Sequence, residues 1–176
     1  EAIVLARKKK RPVIAMMGSH VIKCGLNPVI IELIKKDVIT AVSLNGSGAI
    51  HDFEIALVGG TSEDVSEALE DGSFGMATET ASYLNSAVKK AAEKGMGAGQ
   101  AVGELMREEK LPFKKLSILY NCVKEGIPCT LHIAIGTDII HQHPSCDGAD
   151  TGAASLRDFH KFIEVVSGLE GGVVLN

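Results

Sequence analysis

Tryptophan is absent from the 176-residue chain, and aromatic residues make up only 4% of it. Binding to exposed nucleic-acid bases relies on aromatic platforms, so this composition speaks against it. Positive charge is not in excess either. The formal net charge is −4, and the one basic cluster, RKKKRP at residues 7–12, directly precedes an apolar run. Lysine and arginine complement the dipole at helix carboxyl ends, so the cluster reads as a solvated helix end. No apolar run approaches the roughly 20 residues that cross a bilayer. Neither nucleic acid nor membrane is expected as a partner.

Cysteine is sparse and lacks paired C-x-x-C spacing: Cys24, Cys122, Cys129 and Cys146 stand apart. With 45% hydrophobic residues the chain can build a core without a disulfide framework, and a reducing cytoplasmic location fits. Other signatures are missing too. There is no G-x-S-x-G elbow for a hydrolase serine, no Walker lysine loop and no H-E-x-x-H zinc motif.

What is present alternates between strand and helix patterns. PVIAMMG (12–18) reads as a buried strand, GLNPVIIELIKKD (25–37) as an amphipathic helix, and VITAVSLNG (38–46) as a β-branched strand. Strand, helix and strand in this order make the βαβ unit of a parallel sheet. Helices are expected at 61–72, behind a Thr61-x-x-Asp64 capping pattern, and at 77–95, 100–110 and 114–126. A strand at 127–135, a helix at 155–168 and a closing strand at 171–176 complete the pattern. The expected fold is α/β, a Rossmann-like three-layer arrangement with a mainly parallel sheet. Residues 1–176 read as a single nucleotide-binding domain. The opening without methionine and the close in mid-strand give the expectation of a fragment, lacking its start and its C-terminal part.

In such sheets ligands lie beyond the carboxyl ends of the strands. Three polar loops fall there: GSHVIKCG (18–25), NGSGAIHD (45–52) and GTDIIHQHPSCDGAD (136–150). Gly46-x-Gly48 resembles the start of a dinucleotide fingerprint, with His51 where the third glycine belongs; it is either a phosphate-contacting turn or a turn needing positive φ. Gly95-x-Gly97-x-Gly99, with no strand before it, reads as a helix break. His51 and Asp52 are expected to begin a helix. Asp52 is then a cap or a ligand, and His51 can shuttle a proton near neutral pH. Asp138, His141, His143, Asp147 and Asp150 share one loop. They either satisfy that loop or hold a metal, which would make the chain a metal-dependent hydrolase. His132 reads as a core histidine and His160 as an outward-facing one.

The three loops in this order resemble the deoxyhypusine synthase family. GSHVIKCGL is similar to that family's TSNxxSSGL turn, LNGSGAIHDFE to its TTAGGVEEDL segment, and ILYNCVKEGIPCTLHIAIGTDII to its helix–strand–TDGSLGD segment. The resemblance runs from about residue 12 to 176. It implies an NAD-binding homotetramer that oxidises an amine and passes an aminoalkyl group to a second amine, a protein lysine in the family. Carried over, it assigns Ser19, His20, Cys24, Asn45, Gly46, Ser47 and Thr137 to the cofactor, and Asp52, Asp138 and His141 to a small-molecule amine substrate. His51 and His20 would move protons, and no metal is implied. Where the family has adjacent glutamates this chain has Ile50 and His51, which do not pair an ammonium as carboxylates do. A second reading, a module that binds NAD or a related nucleotide without catalysis, draws on that same departure.

Overall fold

A computed structural model describes residues 1–61, 69–70, 72 and 77–176. Most of the helix expected at 61–72, with its Asp64 capping position, lies outside the described residues.

Four strands form one parallel sheet: β1 (Val13–Met17), β2 (Ala41–Asn45), β3 (Cys129–His132) and β4 (Val173–Leu175), in the order β3-β2-β1-β4. β1 and β2 are the central pair, in register with Ile14 opposite Ala41 and Met17 opposite Leu44. A central parallel strand is covered on both faces, which is why Val13, Ile14, Ala15, Val42 and Leu44 are all buried. The chain steps from β1 to β2 to β3 in one direction and then crosses back past β1 to β4. Helices flank the sheet, giving the α/β Rossmann-like three-layer fold that the sequence pattern predicts.

The helices are α1 (Ala2–Lys8), α2 (Ser19–Lys23), α3 (Asn27–Lys35), α4 (Gly46–Val58), α5 (Thr78–Lys94), α6 (Ala98–Glu108), α7 (Ile118–Glu125) and α8 (Gly148–Ser167). The basic cluster is indeed a helix end: α1 closes on Lys8, and Arg7 donates to the Asp37 carbonyl at 2.6 Å and the Arg11 carbonyl at 2.8 Å. The break at 95–99 is also found. Gly95 ends α5 in the left-handed region at φ 70°, and Gly97 caps α6.

Boundaries differ where a side-chain cap decides them. α8 begins at Gly148, not at 155, because the Asp147 carboxylate accepts from the Ala149 and Asp150 N–H groups at 2.8 and 3.0 Å. The expected helix 114–126 divides into a 3₁₀ turn (Lys114–Leu116) and α7, capped by Ser117, which accepts from Tyr120 N–H at 2.9 Å. The strand expected at 127–135 narrows to β3, and the one at 38–46 to β2.

α8 closes the outer edge of β3. Its Asp158 carboxylate accepts from the Leu131 N–H of that edge at 3.0 Å and from the Gly99 N–H of α6 at 2.9 Å, and Ser155 accepts from Ile133 N–H at 3.2 Å. These bonds satisfy strand groups that would otherwise be a template for further pairing. Among the described residues no helix is long and apolar enough to cross a membrane.

Candidate functional site at the carboxyl end of the sheet

The three polar loops leave the carboxyl ends of β1, β2 and β3 and touch one another. Gly18, following β1, is exposed and extended, with φ −92° and ψ −171°. The Asn45 side-chain nitrogen at the end of β2 lies 3.8 Å from where a Gly18 Cβ would stand. Asp138, in the loop after β3, lays its carboxylate directly against Gly46, so that a Cβ there would collide with it.

The stretch NGSG is not a turn that needs positive φ. Strand β2 passes straight into α4, whose cap is Asn45 with its Oδ1 accepting from Gly48 N–H at 2.9 Å. Gly46 and Gly48 are not among the glycines with positive φ. Their small size serves close approach instead: Gly46 to Asp138, and Gly48 to Asn45 Oδ1 and Leu44 Cβ, both 3.3 Å from a Cβ built there. The helix therefore begins five residues before His51 rather than at it.

That shift separates His51 from its neighbour Asp52. On α4, Ile50, Asp52, Phe53 and Ala56 are buried, while Ser47, His51, Glu54 and Val58 are at least partly exposed. Spacings of four, three and four residues put these last four on one stripe. Asp52 points the other way, 0% exposed, and receives hydrogen bonds from Ser117 Oγ (2.6 Å), Ile118 N–H (2.7 Å), Leu119 N–H (3.0 Å) and Asn27 Nδ2 (3.1 Å). It caps α7 from across the core. Burial pushes its carboxyl up to about 6, against the bonds that favour the ionised form. A carboxylate so enclosed meets no substrate, and the substrate role expected for Asp52 gives way to a structural one.

On the outer stripe His51 Nδ1 is 3.1 Å from Glu54 Oε2 and in contact with Thr61 Oγ1, and the Thr61 hydroxyl donates to the same Oε2 at 2.9 Å. Sequence reasoning passed over Glu54 and took Thr61 only for a helix cap. The signal was legible in H-D-F-E, where His and Glu three apart share a helix face.

The remaining residues divide. Ser19 is half-buried and His20 exposed at the start of α2, beside Gly18, while Cys24 is exposed at the far end of that helix. Gly46 is buried beneath Asp138 and Ser47 is half-buried. Thr137 uses its hydroxyl on the Ala134 carbonyl at 2.8 Å. His141 Nδ1 accepts from Gly136 N–H at 3.1 Å and Asp138 N–H at 3.3 Å, and His143 Nδ1 accepts from Ser145 N–H at 3.2 Å. These histidines shape their own loop, and among the described residues no group of three or more His, Cys, Asp or Glu could hold a metal. Among the described residues Asp138 Oδ2 is buried without a hydrogen-bond partner, and burial raises its carboxyl above the usual range. His132 was expected in the core. It is half-buried at the last position of β3, opposite Asn45, with burial holding its imidazole below the usual value.

A cavity of about 690 Å³ lies elsewhere, at the amino end of β3 between α6, α7 and α8. Its charged residues largely serve the fold. Arg157 donates to the Ala92 carbonyl at 3.3 Å, Asp158 holds β3 and α6, and Lys161 pairs with Glu164 at 2.7 Å.

No family model matches the chain, and no curated protein matches it in sequence. Solved structures do resemble it. Arginine dihydrolase ArgZ of the ornithine–ammonia cycle in cyanobacteria, in its apo form, aligns over 99% of this chain with a TM-score of 0.59 and 19% identity. The chain covers 22% of ArgZ, about a fifth of its length. A conserved LOR/SDH protein from Methanococcus maripaludis S2 aligns over 96% of this chain and 57% of its own, with a TM-score of 0.48 and 18% identity. At such identity the likeness to ArgZ shows the fold.

Proposed function

We propose that the chain is the cofactor-binding domain of an NAD-dependent enzyme of the deoxyhypusine synthase type, oxidising an amine and passing an aminoalkyl group to a second amine. The observation that carries this reading is the meeting of three strand-end loops at the carboxyl end of a parallel sheet, through Asn45 beside Gly18 and Asp138 on Gly46. Open α/β sheets take their ligands there.

The residues fit a dinucleotide unevenly. Gly18 stands open with no backbone atom near its Cβ position, which suits close approach of a pyrophosphate to the β1–α2 turn. Asp138 as a residue is only half-buried, and among the described residues its Oδ2 has no hydrogen-bond donor, so its carboxylate has capacity left to accept from a ribose hydroxyl. Phosphate at the start of α4 fits poorly, because the Asp138 carboxylate already covers Gly46. The cofactor contacts proposed are therefore Gly18, Ser19, His20, Asn45 and Asp138, with Gly46 acting beneath them.

Hydride acceptance from the amine-bearing carbon is the chemistry NAD supplies when bound. Everything else falls to the chain. His51, on the exposed stripe of α4 below Ser47, exchanges the amine proton, since helical side chains lean toward the amino end and so toward the strand ends. A homotetramer is part of the proposal, supported by the exposed apolar stripe Leu156, Phe159 and Ile163 on α8.

The test is reduction of NAD by the full-length protein with spermidine or putrescine as the probe amine. His51→Ala should abolish turnover while leaving NAD affinity unchanged. Turnover that survives the substitution removes His51 from the reaction, and NAD binding without turnover on any amine favours a non-catalytic module.

A further inference from the structure

The hydrogen bonds around His51 fix more than its position. We infer that Glu54, seconded by Thr61, is a positioning residue that locks the His51 imidazole in the Nδ1–H tautomer and so makes Nε2 the proton-accepting atom of the site. The inference rests on the reading of His51 as the acid–base group.

Among the described residues Nδ1 has two hydrogen-bonding neighbours, Glu54 Oε2 at 3.1 Å and the Thr61 hydroxyl. An ionised glutamate can only accept hydrogen bonds. The Thr61 hydroxyl carries one hydrogen and donates it to Glu54 Oε2 at 2.9 Å, so toward the ring it presents a lone pair. Both neighbours of Nδ1 are therefore acceptors, and the ring nitrogen must supply the proton. A neutral imidazole has one N–H, which leaves Nε2 with its lone pair exposed. Among the described residues no hydrogen bond engages Nε2. With the His51 and Glu54 side chains each 16% exposed, the pair is shielded but still reached by solvent or a ligand.

The same geometry explains why the carboxylate sits where it does. Glu54 is one helical turn beyond His51 on the same stripe, and Thr61 returns to it past the left-handed Gly59 that ends α4. Two separate segments thus hold one carboxylate oxygen against one ring nitrogen. In hydrolytic triads, an acid on one ring nitrogen and chemistry on the other is the arrangement that decides which tautomer works.

The test uses the full-length protein labelled with ¹⁵N at histidine, with the His51 signal assigned by its loss in His51→Gln. In the unsubstituted protein, long-range proton–nitrogen correlation should report His51 as Nδ1–H with a pyridine-type Nε2. Glu54→Gln keeps the volume but can turn an amide donor toward the ring, and Glu54→Ala removes the acceptor. Both should shift His51 toward Nε2–H. Turnover should fall at least about tenfold in both, as expected for a wrong tautomer, while NAD affinity stays within about twofold. A purely structural Glu54 would lower thermal stability and leave the tautomer alone. An Nε2–H signal in the unsubstituted protein, or an unchanged tautomer in both variants, overturns the inference. Failure of the unsubstituted protein to bind NAD would instead overturn the cofactor reading, with the tautomer result standing.

Discussion

At the amino end of β3, a groove of about 690 Å³ is ringed by Arg107, Arg157, Asp158, Lys161 and Glu164. At the carboxyl end, three loops meet around Asn45, Asp138 and, one turn down α4, His51. The groove is lined with charge of both signs. Yet Arg157 holds the end of α5, Asp158 holds two backbone N–H groups, and Lys161 answers Glu164. Among the described residues, the carboxyl end keeps an acceptor at Asp138 without a donor and a ring nitrogen at His51 without a hydrogen-bond partner. Cavity size and charge describe where a fold leaves room; unmet hydrogen-bonding capacity describes where a ligand gains by arriving.

Substitutions can break that contrast, starting from the core. Asp52→Ala strips the acceptor from Ile118, Leu119, Ser117 and Asn27 at once and should cost about 3–5 kcal/mol. The protein that remains folded should bind NAD as before, measured by calorimetry; weakened binding would return Asp52 to the site. Gly46→Ala should cost about 1–3 kcal/mol by driving a methyl into the Asp138 carboxylate, and should weaken NAD binding about tenfold. Adding Asp138→Ala should restore stability, and no recovery would mean that the two residues do not meet.

Two buried carboxyls, Asp52 and Asp158, stand at about 6 in the folded chain against 3.8 for an ordinary aspartate. A raised acid stabilises the fold fully below its unfolded value and loses that contribution as pH rises through about 6. Relative to Asp158→Asn, which stays neutral, the unsubstituted chain should therefore lose about 1–2 kcal/mol between pH of about 5 and 7, followed by urea denaturation. A constant difference would contradict the burial of Asp158. Arg157→Ala should have the smallest effect, under about 1 kcal/mol and with NAD affinity unchanged, because among the described residues its cation donates only to the Ala92 carbonyl. A loss of affinity would move the site to the groove.

The strands and long helices were legible because apolar spacing carries them. PVIAMMG and VITAVSLNG could hardly be other than buried strands, and the convergence of three polar loops followed from parallel topology alone. What could not be read was which side chain each backbone end would borrow. Asp52 caps a helix 66 residues away, and Asp158 closes a strand edge and a helix start; neither partnership has a local pattern. The positive-φ reading of NGSG failed for the same reason. Its glycines answer Asp138, Asn45 and Leu44 rather than a demand for positive φ. At the site, Glu54 lay within view as the fourth residue of H-D-F-E, but Thr61 reaches it only once α4 has turned at Gly59.

The most direct test of the central claim is thermal unfolding of the full-length protein with and without millimolar NAD, with ATP as control. A ligand at a hundred times its dissociation constant stabilises by about 2.7 kcal/mol, which raises the midpoint by several degrees. The account predicts such a rise with NAD alone, diminished in Gly46→Ala. An equal rise with ATP, or none with either, would contradict a dinucleotide site at the carboxyl end of this sheet.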